Sequence, residues 1–175
     1  MGTNFYNDSH GERWGVMVQQ KHMSCGPASV AMTEVYYKQR VIGDVEARIR
    51  EISQKYPGRF TETGGTYMKN LAYVLREEGI KCYDPLYTAA VWNYLYAYAK
   101  DDTPVIAQID WKGGGSHFTV CVYVYKSDQK CIFLDPWYGL VERAGSTLPD
   151  YQIGTPEFGT VASGTLNGWI LITRP

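Results

Sequence analysis

The sequence has neither an excess of one charge nor a long hydrophobic run. Seventeen lysines and arginines nearly balance 18 aspartates and glutamates, which leaves a net charge of -1. Because non-specific nucleic-acid binding needs clustered positive charge, we expect no nucleic-acid partner. No window approaches the roughly 18 apolar residues of a membrane span, and the polar segment 1–15 lacks the apolar core of a secretory signal. We therefore expect no membrane contact and a soluble chain, either cytoplasmic or cut from a longer protein.

Cysteine is scarce, and its spacing does not fit a metal site. Cys25, Cys82, Cys121 and Cys131 form no C-x-x-C pair and have no histidines at zinc-ligand spacing. A zinc deaminase is excluded, because its cysteine pair and its His-x-Glu motif are absent. We expect buried free thiols rather than a disulfide, and neither a metal nor another cofactor.

Internal repeats, low-complexity tracts and linkers rich in proline and glycine are also lacking, so residues 1–175 are expected to form a single domain. The first half of the chain has helical periodicity. Four helices are predicted: one along Ala28–Lys38 with Pro27 as its first residue, one behind an Asp44 N-cap, one along Met68–Leu75 that Gly79 ends, and one from near Thr88 to before Asp101.

The hydrophobic pattern changes its period after Pro104. Four strands are predicted from β-branched and aromatic runs, at Val105–Ile109, Phe118–Tyr125, Cys131–Leu134 and Trp169–Thr173. Helices followed by an antiparallel sheet indicate an α+β fold. An N-terminal helical lobe and a C-terminal sheet lobe, with a cleft between them, follow from this order.

Cys25 is the first candidate for chemistry, because it comes one or two positions before the predicted start of a helix that Gly26-Pro27 introduces. Unpaired N–H groups and the positive end of the helix dipole would point at its sulfur and stabilise a thiolate. A small buried residue at a helix start fits the same position. Cys25 therefore needs a base beside it to be a nucleophile.

His117 and Asp135 are the candidate base and its partner. His117 opens the strand Phe118–Tyr125 and Asp135 ends the strand that follows it, so a hairpin turning near Asp128 would bring them together. The carboxylate would then bind one ring nitrogen and leave the other facing a thiolate. Taken singly, a loop histidine and a turn-forming Asp-Pro explain the same residues. Together with Cys25 they fit a catalytic triad.

Gln19 lies six residues before Cys25, where its side-chain amide could join the Cys25 N–H in binding an oxyanion. Gln20 is one residue away, so the spacing alone leaves the choice between them open. A polar loop residue is an equally good interpretation of either.

Three sequence blocks resemble papain-like cysteine peptidases. The first is Gln19–Met32 around Cys25, the second is Pro104–Ile106 with Gly115–Val120, and the third is Phe133–Trp137. They are most similar to the bacteriocin-processing peptidases that cleave after double glycines, and to their stand-alone relatives. The resemblance implies a papain-like fold, with the nucleophile at a helix N-terminus and the active-site cleft between the lobes.

The resemblance also implies roles. Cys25 is the nucleophile, His117 the general base and acid, and Asp135 the residue that orients His117, while Gln19 has the six-residue offset of the family's oxyanion donor. Aromatic side chains near Asp135 are expected to wall a narrow cleft that favours glycines, although ordinary packing is the favoured interpretation for Trp111. The candidate substrate-binding residues are Trp137, Gly115, Ser116 and Gly65.

Two departures bear on the biological role. Ser24 stands where bacteriocin-processing domains usually carry Asp, and no transmembrane segment is present. The chain is therefore similar to papain-like toxin domains that bacteria deliver into other cells. We expect a monomer that acts on a protein or peptide substrate, with a cognate immunity protein that covers the cleft. A glutamine deamidase or acyltransferase using the same triad is the alternative, and a catalytically idle binding module is less favoured.

Overall fold

Helices occupy the first part of the chain and strands most of the rest, as the hydrophobic pattern predicts. The computed structural model describes residues 2–155 and 159–175. The helices are α1 (Cys25–Lys38), α2 (Val45–Ser53), α3 (Met68–Glu77) and α4 (Val91–Tyr98). The strands are β1 (Thr3–Asn7), β2 (Arg13–Met17), β3 (Lys81–Cys82), β4 (Leu86–Tyr87), β5 (Val105–Trp111), β6 (Ser116–Tyr125), β7 (Lys130–Asp135), β8 (Gly139–Ala144), β9 (Asp150–Thr155) and β10 (Gly159–Arg174).

One antiparallel sheet organises the molecule. Its strands follow the order β3-β10-β5-β6-β7-β8, and β4 and β9 also pair with β10. The long strand β10 pairs with all of these strands, and its register with β5 shifts between Leu166 and Ile170. The α+β prediction is thereby confirmed.

The sheet is buried on both faces. Helices α1, α2 and α3 pack on one face, where Leu71 and Val120 are fully buried. Helix α4 and strand β9 cover the other face, where Leu95 and Phe133 are fully buried. Burying such a side chain stabilises a fold by about 1.5–3 kcal/mol, so the packing on both faces contributes to the stability of the sheet.

The start of α1 differs from the prediction that Pro27 is its first residue. The helix begins at Cys25, and its first intrahelical bond joins the Ala28 N–H to the Ser24 carbonyl at 2.9 Å. Proline is tolerated in this first turn because the N–H it lacks would have had no intrahelical partner. The Asp44 N-cap is confirmed, since its side chain accepts from the Ala47 N–H at 3.1 Å.

The fourth helix, in contrast, begins later than predicted, at Val91 rather than near Thr88. Thr88 is held by other contacts: its N–H donates to the Gly168 carbonyl at 2.8 Å, and its Oγ1 accepts from the Ala90 N–H at 3.0 Å. Pairing with β10 therefore keeps Thr88 out of the helix.

An N-terminal hairpin of β1 and β2, which the sequence did not predict, lies across the end of the sheet. Asp8 at its turn accepts from the Trp14 Nε1 at 2.8 Å and from the Tyr125 hydroxyl at 2.7 Å. Apolar and polar residues do not alternate strictly along its two strands, so the sequence pattern does not reveal it. Besides the bonds to Asp8, the burial of Val16 and Met17 in the core attaches the hairpin to the rest of the fold.

All four cysteines are free and buried, which confirms the expectation drawn from their spacing. Within residues 2–155 and 159–175, no group of three or more His, Cys, Asp or Glu side chains could hold a metal ion. In the same part of the chain, none of the helices combines the length and the apolar character needed to cross a bilayer.

Candidate active site

Cys25 is the first residue of α1 and is nearly buried, with 9% of its surface exposed. The N–H groups of a first helical turn lack intrahelical partners, so they are free to donate to a group beside the sulfur. Gly26 follows in a closely packed position, because a Cβ there would lie 3.1 Å from Leu71 and 3.3 Å from Phe118. The nucleophile segment is thus packed between the helical lobe and the sheet.

His117 and Asp135 lie on the neighbouring strands β6 and β7, which form the predicted hairpin. The His117 Nε2 is 3.0 Å from Oδ1 and 3.1 Å from Oδ2 of Asp135, and both side chains are buried. Because Nε2 faces the carboxylate, Nδ1 is the nitrogen left for the Cys25 thiol, whose interaction with the imidazole contributes to the raised pKa of His117. The structure therefore brings Cys25, His117 and Asp135 together.

The surroundings of His117 hold it in the protonated form. Burial by itself lowers the pKa of the imidazole, but the charge and hydrogen bond of Asp135 and the contact with Cys25 raise it to about 10. An imidazolium beside Cys25 stabilises a thiolate by its charge. The Cys25 thiol accordingly faces a charged imidazolium at neutral pH.

Two tryptophans cover the imidazole of His117. The Trp111 ring, at the end of β5, stacks on it with centroids 5.4 Å apart, and the Trp137 ring is 6.0 Å away. The two indoles contact each other at 6.5 Å. Trp111 is thus packed against His117, whereas Trp137 is 49% exposed.

Gln19 lies in the loop between β2 and α1, and its backbone N–H donates to the Pro136 carbonyl at 2.8 Å. Its side-chain Nε2 donates to the carbonyls of Lys21 at 2.9 Å and His22 at 2.7 Å, which occupies both amide hydrogens. The Oε1 atom is buried without a hydrogen-bond partner among the described residues. Donation to an oxyanion therefore requires the amide to release one of these carbonyls.

A fully buried carboxylate fastens the loop that carries Gln19 to α2. Glu46 accepts from the Ser24 hydroxyl at 2.6 Å and from the Gln20 N–H at 2.9 Å, and it forms an ion pair with Arg50. Burial raises the pKa of Glu46 above its usual range, although these hydrogen bonds and the Arg50 charge partly oppose the shift. Ser24, the residue just before Cys25, is thus hydrogen-bonded to α2.

The other predicted substrate-binding residues lie in different environments. Gly65 is buried and paired with Thr61, and a Cβ on it would lie 3.5 Å from the carbonyl of Met23. Gly115 and Ser116 are exposed at the turn between β5 and β6. Gly65 therefore borders the nucleophile segment, whereas Gly115 and Ser116 border the end of the His117 strand.

A cavity of about 660 Å³ opens between α3 and the sheet. Tyr67, Met68 and Trp169 line it with apolar surface, and Gln108 adds an amide. Its lining includes none of Cys25, His117 and Asp135, so the cavity is separate from the three candidate catalytic residues.

Tyr151 is a residue of the site that the sequence did not reveal. It is fully buried on β9, and its hydroxyl donates to Oδ2 of Asp135 at 2.9 Å. It is one of 15 tyrosines and belongs to no recognisable motif. Its position depends on the pairing of β9 with β10, for which the local sequence carries no signal.

Comparisons with known proteins agree with this geometry. The family model described as "Papain-like cysteine protease AvrRpt2" matches residues 9–152. The peptidase domain of Streptococcus ComA, a bi-functional ABC transporter involved in a quorum-sensing pathway, has a similar fold. The TM-score is 0.59 at 15% sequence identity, and the match covers 91% of this chain and 97% of that domain. A search of the curated proteins finds no match.

The fold and the matched model define a papain-like cysteine peptidase, a hydrolase that uses a thiol. The chain belongs to the papain-like cysteine protease AvrRpt2 family. The resemblance to papain-like cysteine peptidases that the three sequence blocks indicated is thereby confirmed.

Proposed function

We propose that this peptidase cleaves a protein or peptide through a triad of Cys25, His117 and Asp135. The observation that carries the proposal is the contact of His117 with Asp135 through Nε2, which leaves Nδ1 for the thiol at the start of α1. Nucleophile, base and orienting carboxylate are then arranged in the order that acyl transfer requires.

In this mechanism the Cys25 thiolate attacks the scissile carbonyl carbon, and the carbonyl oxygen becomes an oxyanion. The Cys25 N–H donates to that oxyanion, and Gln19 joins it when its amide turns from the loop carbonyls. His117 gives its Nδ1 proton to the leaving amine, which breaks the C–N bond and leaves a thioester. His117 then removes a proton from water, which hydrolyses the thioester and regenerates the thiolate.

We propose further that the cleft selects glycine next to the cut site. Trp137 and Trp111 contact each other beside His117, and their rings narrow the space around the triad. A residue without a side chain passes through such a slot with the least steric cost.

We propose that the enzyme acts as an effector inside a target cell, as a monomer, and that a cognate immunity protein binds over the cleft and blocks it. The support for this role is the resemblance of the papain-like domain to toxin domains that bacteria deliver into other cells. Co-purification of the chain with the products of neighbouring genes tests the inhibitor. We expect one of these products to bind the chain and to protect Cys25 from a thiol-directed probe. Failure to find such a product would contradict this part of the proposal.

The test of the central proposal is expression of the wild type and of Cys25→Ala in a bacterial host, with mass spectrometry of new protein N-termini. We expect toxicity from the wild type only, together with a new N-terminus in one host protein. A synthetic peptide that spans the new cleavage site then supplies the assay substrate, and replacing its glycine by alanine tests the glycine preference.

Two outcomes contradict the proposal. If toxicity requires Cys25 but the only change is the mass shift of a deamidated glutamine, the enzyme is a glutamine deamidase with the same triad. If a thiol-directed probe fails to label Cys25 in the wild type, the chain is a binding module.

A further inference from the structure

The carboxylate of Asp135 is completely buried and has a full set of hydrogen-bond donors. Oδ1 accepts from the His117 Nε2 at 3.0 Å, from the Trp137 N–H at 2.8 Å and from the Tyr138 N–H at 3.1 Å. Oδ2 accepts from the Tyr151 hydroxyl at 2.9 Å and lies 3.1 Å from the His117 Nε2. A carboxylate has about four acceptor sites, so these donors saturate it.

Among the described residues, the Tyr151 hydroxyl is the one hydrogen-bond donor to Oδ2 of Asp135 besides the His117 Nε2. The terminal torsion of an aspartate is broad, so a carboxylate fixed through Oδ1 alone can turn about its bond. A hydrogen bond to a charged oxygen is among the stronger ones. The phenol therefore fixes the plane in which Asp135 meets the imidazole.

Tyr151 is itself rigidly placed. Its ring packs edge-on against Phe133 with centroids 5.3 Å apart, and Thr119 Oγ1 lies 3.1 Å from its hydroxyl. These contacts leave the phenol no freedom to turn away from Asp135. The hydroxyl acts as a fixed point for the carboxylate.

A glycine in β10 makes room for this arrangement. Gly164 pairs with Tyr151 on one side and with Trp111 on the other. A Cβ at this position would lie 2.7 Å from the Trp111 ring, so the missing side chain lets Trp111 and Tyr151 meet with centroids 6.1 Å apart. The two aromatic rings and the triad thus form one packed unit.

We propose that Tyr151 is a positioning residue of the triad, which acts through Asp135 to hold His117 toward Cys25. The inference rests on the proposed function, because it assigns a fourth member to the same site. Tyr151 does not touch the reacting atoms, and its effect reaches Cys25 only through the orientation of Asp135 and His117.

The test uses Tyr151→Phe, which removes the hydroxyl and keeps the ring. Its matched control is Tyr125→Phe, which removes a tyrosine hydroxyl that donates to the buried carboxylate of Asp8, far along the sheet. One readout is the rate of Cys25 alkylation by iodoacetamide as a function of pH. The other is the downfield proton resonance of the hydrogen bond between His117 Nε2 and Asp135. Neither readout needs a substrate.

We expect Tyr151→Phe to slow alkylation at mildly acidic pH by about threefold or more and to shift or broaden the His117 resonance, because a loosely held carboxylate stabilises the imidazolium less. Tyr125→Phe should leave both unchanged. Wild-type behaviour of a folded Tyr151→Phe overturns the inference. If the wild-type thiol is itself unreactive, the proposed function fails instead, which separates the two failures.

A second variant covers the case in which Tyr151→Phe does not fold. Fluorotyrosine incorporated at position 151 keeps the ring and the hydroxyl but makes the phenol a stronger acid. We expect it to move the His117 resonance and the pH profile of alkylation. If the resonance and the pH profile both match those of the wild type, the inference is overturned.

Discussion

The indole of Trp111 stacks on the imidazole of His117, with ring centroids 5.4 Å apart and planes inclined by 29°. Because the pKa of His117 is raised to about 10, the indole faces a cation at neutral pH. The face of an indole attracts a cation, most strongly where water is excluded. Trp111 therefore supports the charged form of His117.

This relationship predicts the effect of Trp111→Leu. Loss of the indole face should lower the pKa of His117 by about 0.4–1.5, since cation–π contacts contribute about 0.5–2 kcal/mol. A pH titration of the His117 ring by NMR measures the shift. Trp111→Phe is the control, because it keeps an aromatic face and should shift the pKa less. Equal shifts in the two variants would show that lost packing, rather than the aromatic face, is responsible.

The raised pKa of His117 also predicts how stability depends on pH. The folded state holds the proton more tightly than the unfolded chain, whose imidazole has the ordinary value of 6.5. The stabilisation is fully present below that value and is lost as pH rises through about 10, with a slope of up to about 1.4 kcal/mol per pH unit. Urea unfolding across this range should show wild type losing more stability than His117→Gln. Parallel curves would contradict the prediction.

Cys25 contributes to the same shift, which gives an independent check. Since the contact with Cys25 raises the pKa of His117, Cys25→Ala should titrate this ring at lower pH than the wild type. The alanine variant keeps Asp135, so its His117 should still titrate above the ordinary histidine value of 6.5. NMR titration of the His117 ring in the wild type and in Cys25→Ala supplies the comparison.

The oxyanion role can be assigned between two adjacent glutamines. Gln19→Ala should lower kcat by about 10²–10³-fold with little change in KM, as expected for a lost oxyanion donor. Gln20→Ala should leave kcat close to wild type, because the Gln20 amide is bound to Asp44 at 2.8 Å and to Arg50 at 2.9 Å. Steady-state kinetics on the peptide substrate decide, and a loss of kcat confined to Gln20→Ala would reverse the assignment.

The buried carboxylate of Glu46, which binds the loop before Cys25, should contribute far more to the unfolding free energy than an exposed ion pair does. Glu46→Ala leaves Arg50 and the Ser24 hydroxyl without their buried acceptor, which should cost about 3–5 kcal/mol of unfolding free energy. Glu62→Ala removes an exposed pair with Lys21 at 3.5 Å and should cost less than about 1 kcal/mol. Denaturant unfolding of the two variants tests the contrast, which similar losses would refute.

The close packing around Gly164 predicts that a side chain at this position affects both the stability of the fold and the surroundings of His117. A methyl group there would lie 2.6 Å from the Asp110 carbonyl oxygen and 2.7 Å from the Trp111 ring. Gly164→Ala should therefore cost about 1–3 kcal/mol of stability by overpacking and displace Trp111 from His117. The control is Gly113→Ala, where a Cβ would meet nothing within 4 Å. Thermal unfolding and the His117 titration of both variants measure these effects, and a Gly164→Ala protein that matches the control would contradict them.

Much of the fold could be predicted because its signals are local. The Asp44 cap, the stripe from Met68 to Leu75 and the turn at Gly79 each depend on residues a few positions apart. The same holds for the hairpin that brings His117 toward Asp135, whose two strands are joined by a short polar turn. Period and turn chemistry carry this information within one segment.

The parts that escaped prediction depend on contacts between distant segments. Tyr151 reaches Asp135 only because β9 pairs with a strand that itself pairs with β5. Glu46 reaches Ser24 because two helices pack against each other. No spacing in the sequence records either contact, since both partners are ordinary for their own elements. The offset from Cys25 made Gln19 a candidate oxyanion donor, but the hydrogen bonds of its amide to nearby carbonyls are visible only in three dimensions.

The sheet order has a consequence for biosynthesis. Strand β10 follows every other element along the chain, yet it lies between β3 and β5 in the interior of the sheet and flanks the strand that carries Tyr151. A ribosome will already have released the helices and the Cys25 loop before the residues that complete the sheet emerge. Such long-range pairings form late in folding. The thiol of a nascent chain should therefore be poorly reactive, so that a cell making this peptidase is exposed to its activity only after synthesis has passed Arg174.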